Sequence, residues 1–189
     1  GDTVEVWGPL GNGFSVPTAK HLICVAGGIG QTPFLATARE ALGLRTYGSP
    51  SRQLPTKPTS VSLCYGVRSK DYLAGLEEFQ LPGLDLAIAT DDGTYGHHGY
   101  VTQLLQRKLD DNKADTQVYC CGPEPMMKAV AEICSRESVP CWLSLETPMA
   151  CGFGACFSCV TKVREVDGSW DYRRTCVEGP VFEAERLVL

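Results

Sequence analysis

His21-Leu-Ile-Cys-Val-Ala-Gly-Gly-Ile-Gly-Gln-Thr-Pro-Phe-Leu35 changes its periodicity halfway along, and that change decides the fold. His21 to Ala26 is a short apolar run bounded by glycine, the pattern of a strand buried on both faces. After Gly27-Gly-Ile-Gly30 the apolar residues fall at helical spacing instead, at Pro33, Phe34, Leu35, Ala38, Ala41 and Leu42. The spacing predicts a helix that begins near Thr32 and stops near Gly43. Pro33 suits the first turn of that helix, where its missing N–H removes no hydrogen bond.

Downstream the alternation repeats. Strands are predicted at Val61–Tyr65, Leu84–Ala89, Gln117–Cys121 and Cys141–Leu145, and helices at Tyr72–Phe79, Val101–Leu109 and Glu124–Arg136. Five strands joined by four helices imply right-handed crossovers, hence an α/β fold with a five-stranded, doubly wound parallel sheet. Upstream, Thr3-Val-Glu-Val-Trp7 alternates like the end of a strand before Gly8-Pro-Leu-Gly-Asn-Gly13 breaks it. Residues 44–58, with Pro50, Pro55 and Pro58, read as an exposed loop. No acidic residue falls between Glu40 and Asp71, whereas Arg45, Arg52, Lys57, Arg68 and Lys70 do. That stretch is either a solvated loop or a mildly positive field for a phosphate. Helical periodicity ends at Glu146, where a Cys/Gly-rich segment starts. The expected units are residues 1–19, 20–145 and 146–189.

Composition narrows the function. Of 189 residues, 43% are hydrophobic and 21% charged, which excludes a disordered chain. The net charge of −5 argues against a nucleic-acid partner. No apolar run approaches the roughly 18 residues of a membrane helix. The opening Gly1-Asp-Thr-Val-Glu5 shows neither a signal-peptide pattern nor an initiator Met, and the chain reads as a fragment or one whose beginning lies upstream. Ten cysteines are too few for a disulfide scaffold. Cys24, Cys64 and Cys134 sit in apolar segments and read as inert core thiols, pointing to a reducing, cytoplasmic compartment.

Ligands of open parallel sheets bind outside the carboxyl ends of the strands. Three loops fall there. Gly27, Gly28, Gly30, Thr32 and Pro33 lead from a strand into a helix, so that glycine backbone can approach a pyrophosphate beside unpaired helix N–H groups. Asp91, Asp92 and Gly93 follow the third strand; Cys121, Gly122 and Pro123 follow the fourth. Each alone is an ordinary turn, and the first is not the G-x-G-x-x-G fingerprint. Together they predict a dinucleotide site preferring NAD over NADP, although Arg68 with Ser69 and Lys70 can also hold a 2′-phosphate. His97 and His98 have no partner at ligand spacing and read as exposed.

Cys151-x4-Cys156-x2-Cys159 followed by Cys176 has the plant-type [2Fe–2S] spacing. A hairpin of Val160–Arg164 with Trp170–Thr175 would bring Cys176 back to the loop. Zinc is the competing reading, though only Cys156 and Cys159 form a knuckle of the kind structural zinc sites use in pairs.

The order Gly-Pro-Leu-Gly-Asn-Gly-Phe (8–14), Gly-Gly-Ile-Gly-Gln-Thr-Pro (27–33), Tyr-Gly-Val-Arg-Ser (65–69), Asp-Asp-Gly (91–93), Cys-Gly-Pro-Glu-Pro-Met-Met (121–127) and Glu-Thr-Pro-Met-Ala-Cys-Gly-Phe-Gly-Ala-Cys-Phe-Ser-Cys (146–159), with Val-Glu-Gly-Pro-Val-Phe (177–182), is distinctive. It resembles the electron-transfer subunits of type B dihydroorotate dehydrogenase, within the ferredoxin–NADP reductase superfamily. The resemblance implies a ferredoxin reductase-like NAD domain at residues 20–145 and a small C-terminal [2Fe–2S] subdomain at 146–189. Residues 1–19 would end an N-terminal FAD-binding barrel that should precede Gly1. Arg45-Thr-Tyr-Gly48 looks like the barrel's Arg-x-Tyr-Ser-type flavin motif but follows the nucleotide loop, so it is a decoy. The implied cofactors are a [2Fe–2S] cluster, FAD and NAD. The implied partner is an FMN-containing dihydroorotate dehydrogenase catalytic subunit, in a heterotetramer of two of each. Cys121 is expected to position the nicotinamide. The alternatives are an accessory electron-transfer subunit of another oxidoreductase such as a hydrogenase, and a non-catalytic zinc- or nucleotide-binding module.

Overall fold

The structure, a computed structural model, describes residues 1–189 apart from Gln53, Leu54 and Thr56. The loop expected over residues 44–58 therefore lies partly outside the described residues. The first strand, β1 (His21–Gly27), runs between β2 (Ser60–Val67) and β5 (Thr116–Cys121), parallel to both. Outward from β2 lies β3 (Leu84–Thr90), and outward from β5 lies β6 (Cys141–Ser144), again parallel. These are the five strands the sequence predicts.

Alternation along β1 explains the layering. Ile23 and Val25 pack with Leu105 of α2 (Val101–Asp111) and Val130 of α3 (Glu124–Glu137). Leu22, Cys24 and Ala26 point to the other face, against Phe34 and Ala38 of α1 (Thr32–Ala41). Successive strand side chains face opposite ways, so a strand apolar at every position must be covered on both sides.

Several expectations are corrected. The sheet has seven strands, because β4 (His97–His98) pairs with β3 and β9 (Val181–Glu183) pairs antiparallel with β6. The sheet is thus mostly, not wholly, parallel. The two histidines, read as exposed, lie on that short edge strand, where His98 is exposed but His97 is half-buried. The helix expected over Tyr72–Phe79 is instead two 3-10 turns, Lys70–Tyr72 and Leu76–Phe79. They are separated by Gly75 at φ +68°, a left-handed conformation that no helix continues through. Thr3–Trp7 forms no strand; Val4, Val6 and Trp7 are exposed.

Residues 12–18 are bound into the parallel sheet's core. Phe14 stacks on Phe34 and Tyr119 at centroid distances of 5.4 and 4.6 Å. The buried Tyr119 hydroxyl donates to the Ser15 carbonyl at 2.7 Å, and the Thr18 N–H donates to Gln117 Oε1 at 3.2 Å. Beyond the sheet, β7 (Val160–Arg164) and β8 (Trp170–Arg174) form the antiparallel hairpin expected from the sequence. Among the described residues no helix is long and apolar enough to cross a membrane.

Candidate functional site

The chain winds outward from β1 through β2 to β3, then returns to place β5 on the other side of β1. Crossovers from β1 and β5 therefore depart in opposite directions, leaving a crevice between their carboxyl ends, where such folds bind ligands. Two of the three loops predicted from sequence, after β1 and after β5, meet in it. A Cβ on Gly30 would lie 2.2 Å from the Cys121 carbonyl oxygen, so the two loops are in backbone contact. Gly28 has φ +54° and open space where a Cβ would stand. Gly28–Gln31 forms a 3-10 turn that runs straight into α1, with Pro33 in its first turn and no side chain capping its N–H groups. The result is a cradle open to solvent, lined by backbone N–H at the positive end of a helix.

The outer loops are knitted to each other. Thr94 donates its N–H and hydroxyl to Asp92 Oδ1 at 3.0 and 2.6 Å, and the Lys70 N–H donates to Thr94 Oγ1 at 2.9 Å. The Thr94 hydroxyl, then its N–H, hold the Asp92 carboxyl below the ordinary carboxylate range. Asp92 thus shapes its own turn, while Asp91 and Arg68 are exposed at the edge. The cations of the acid-free stretch divide. Arg52, itself exposed, forks onto the buried Glu40 carboxylate, its Nε donating to Oε1 at 3.1 Å. Arg45 lies over the Tyr47 ring at 5.4 Å.

Cys121 is half-buried at the crevice floor. Burial pushes its thiol up, a hydrogen bond with Ser144 partly offsets this, and Glu146 adds to it. A thiol held neutral is a poor nucleophile, in keeping with a positioning role.

The four C-terminal cysteines come together in two pairs. Cys159 and Cys176 are buried with sulfurs 3.1 Å apart. Cys156 is exposed and hydrogen-bonded through sulfur to Ser158 Oγ at 3.1 Å and to Cys151. Hydrogen bonds from the Ser158 hydroxyl and N–H, then from Cys151, pull the Cys156 thiol down to about 6. Cys159 is also held low: desolvation opposes it, but hydrogen bonds from Cys176 and Thr175 prevail. The Gly154 N–H is directed at the Cys176 sulfur. Among the described residues no three His, Cys, Asp or Glu side chains converge on a point suited to one metal ion. Cys159 and Cys176 form one thiol pair, and Cys151 and Cys156 supply two further thiols from the loop, the four-cysteine donor set that a [2Fe–2S] cluster takes.

The other cysteines are structural. Cys24, Cys64, Cys120, Cys134 and Cys141 are buried. Burial pushes the Cys64 thiol up to about 12, with smaller opposing effects from Lys108 and Asp85.

Sequence reasoning missed two positions that organise this region. Asn12 donates to the Glu178 and Val181 carbonyls at 3.1 and 2.9 Å and accepts the Val181 N–H at 2.9 Å, stapling the N-terminal segment to the stretch after Cys176. Arg174 donates to the Gly154 carbonyl at 2.9 Å. Neither has a ligand-type spacing that could have flagged it. A cleft of about 940 Å³ lies between the C-terminal half of α3 and the Leu187–Leu189 end, away from both sites.

Comparison with known proteins gives two family matches along the chain. Residues 24–132 match the family model described as an oxidoreductase NAD-binding domain. Residues 146–188 match the iron–sulfur cluster binding domain of dihydroorotate dehydrogenase B. The dihydroorotate dehydrogenase B (NAD(+)) electron transfer subunit of Caldanaerobacter subterraneus is 36% identical over all of this chain and 67% of its own length. That of Bacillus caldolyticus is 38% identical over all of this chain and 66% of its own length. The chain thus spans about two thirds of these curated relatives. Among solved structures, an NADH-dependent reduced ferredoxin–NADP oxidoreductase studied for flavin-based electron bifurcation superimposes with a TM-score of 0.75 at 30% identity, over 99% of this chain and 61% of that one. The ferredoxin reductase of a carbazole 1,9a-dioxygenase shares the fold at a TM-score of 0.53 and 22% identity, over 67% of this chain and 37% of that one.

Proposed function

This chain belongs to the family of dihydroorotate dehydrogenase B (NAD(+)) electron transfer subunits, and on that premise we propose that it carries electrons between a dihydroorotate-oxidising catalytic subunit and NAD. The observation that carries the proposal is one chain holding both a dinucleotide crevice and two cysteine pairs in the C-terminal cluster segment.

Bound NAD(H) and FAD supply hydride exchange, and a bound [2Fe–2S] cluster supplies one-electron transfer. The residues of this chain bind and orient. Gly28 leaves room for a pyrophosphate at the N-terminal end of the Gly28–Gln31 turn that runs into α1, while Gly27 and Gly30 let the loop pack against Pro123, Met126 and the Cys121 carbonyl. Asp91, Asp92 and Gly93 frame the outer edge with Arg68. Cys121, Gly122 and Pro123 floor the nicotinamide end. Cys151 and Cys156 would hold one iron and Cys159 and Cys176 the other, as thiolates. On this reading FAD would sit beside the nicotinamide end of the crevice, held largely by residues outside those described. The partner reading is an FMN-containing catalytic subunit, two copies of each, in the cytoplasm.

The test is co-purification of the full-length protein with a dihydroorotate dehydrogenase catalytic subunit, followed by dihydroorotate-dependent reduction of NAD+. Failure of both would remove the proposed partner; NADH oxidation with another acceptor protein would favour an accessory subunit of a different oxidoreductase.

Two substitutions test the crevice. Gly28→Ala places a methyl in the open cradle at a left-handed φ, costing roughly 1–2 kcal/mol of backbone strain. It is expected to raise the NADH dissociation constant about tenfold, equivalent to roughly 1.4 kcal/mol, while the protein stays folded. Unchanged affinity by calorimetry would place the pyrophosphate elsewhere. Cys121→Ala is expected to slow flavin reduction by NADH in stopped flow by about tenfold, through looser alignment of the two rings, with the visible cluster spectrum unchanged. A covalent thiol adduct trapped during turnover would contradict the positioning role.

A further inference from the structure

We propose that Arg174 is the positioning residue of the cysteine loop, holding the loop in place and setting its redox potential through its charge; this rests on the iron–sulfur reading above. Arg174 ends β8, two residues before Cys176, and reaches across to the loop bearing the other three cysteines. Its Nη1 donates to the Gly154 carbonyl at 2.9 Å, between Cys151 and Cys156. Its guanidinium lies 4.6 Å from the centroid of Phe157, which sits between Cys156 and Cys159. One side chain therefore grips both intervals of the loop, one by a hydrogen bond and one by a cation–π contact.

The geometry separates this residue from its neighbours. Phe157 is 63% exposed and stands at φ +56°, in the left-handed region. Glu178 backs the guanidinium, its Oε2 accepting from the Arg174 N–H at 2.8 Å and from Nε at 3.4 Å. Arg173, the adjacent cation, is engaged by Glu165 and by Asp171 at 2.8 Å. Its third partner is Glu178 Oε1 at 3.7 Å, and none of these ion pairs reaches the cysteine loop.

Two consequences follow, and they respond to different substitutions. A fixed positive charge favours the more negative, reduced form of an iron–sulfur group held by four thiolates. A planar fork stacked on an aromatic ring is not reproduced by an ammonium, so lysine keeps the charge and loses the grip.

The experiment uses the full-length protein, reconstituted anaerobically with iron and sulfide and titrated by a reductant while the visible and electron paramagnetic resonance signals are followed. Arg174→Met is expected to shift the cluster midpoint to more negative potential. Arg174→Lys is expected to keep the midpoint close to wild type while releasing iron to a chelator several-fold faster. Glu178→Gln, which removes the countercharge but keeps an acceptor, is expected to shift the midpoint the opposite way to Arg174→Met, and it supplies the test should the methionine variant not fold. Arg173→Met is the control with the same loss of charge. Equal shifts in Arg173→Met and Arg174→Met, or no shift in either Arg174→Met or Glu178→Gln, would overturn the assignment. A wild-type protein without labile sulfide would instead overturn the iron–sulfur reading beneath it.

Discussion

Gly30→Ala is expected to lower the melting temperature by roughly 6–12 °C and abolish NADH binding, because the loops after β1 and β5 touch backbone to backbone at this residue. The new Cβ would stand 2.2 Å from the Cys121 oxygen, 2.5 Å from its carbon and 2.8 Å from the Gly122 nitrogen. These are main-chain atoms at the ends of a central strand, so no side chain can swing away. Overpacking of this kind costs about 3 kcal/mol, and at this chain length each kcal/mol is worth about 2–4 °C. The contrast with Gly28→Ala is the informative part. Two positions apart, one methyl enters the protein and the other enters the ligand's space. Thermal melts and NADH calorimetry on both variants check this; a Gly30→Ala melting temperature equal to wild type would show that the loops do not meet as described.

Removing a thiolate should have the largest chemical effect. Cys156→Ala and Cys159→Ala, one from each pair, are each expected to lower iron and labile sulfide per chain about tenfold or more, since a group held by four ligands is lost when one is missing. Cys176→Ala is expected to behave like Cys159→Ala, its pair partner. Cys24→Ser and Cys64→Ser supply the controls: both thiols are buried in the sheet, and iron content is expected to stay at the wild-type level. Iron and sulfide assays on freshly reconstituted protein give the answer, and full iron retention in Cys156→Ala would remove that residue from the ligand set.

Much of this was legible in the sequence because burial on two faces and helical amphipathicity write themselves into periodicity. The five parallel strands, the hairpin of β7 and β8, and the helices from Thr32, Val101 and Glu124 all follow from such patterns. The expected helix at Tyr72–Phe79 failed because Gly75 interrupts it with a left-handed turn, and eight residues of amphipathic spacing did not outweigh that. Strand β9 is three residues long and takes its place by pairing with β6, a long-range choice that no local pattern announces.

The site divides in the same way. Cysteine spacing and glycine loops are carried by neighbours in sequence and could be read directly. Asn12 acts through three hydrogen bonds to backbone 166 and 169 positions away, and Arg174 through one to a carbonyl 20 positions away, and any polar residue looks like them in one dimension. Arg52 shows the converse: a cation that composition offered to a phosphate is committed to the buried Glu40. Asp92, read as a cofactor contact, accepts two hydrogen bonds from Thr94 and holds its turn in shape first.

The central claim is that two thiol pairs at Cys151/Cys156 and Cys159/Cys176 hold one iron–sulfur cluster that relays single electrons. The most direct test is metal and acid-labile sulfide per chain in anaerobically prepared full-length protein, with an electron paramagnetic resonance spectrum after reduction. About two iron and two sulfide per chain are expected, with a paramagnetic signal that appears only on reduction. Stoichiometric zinc, no labile sulfide and no signal would contradict it.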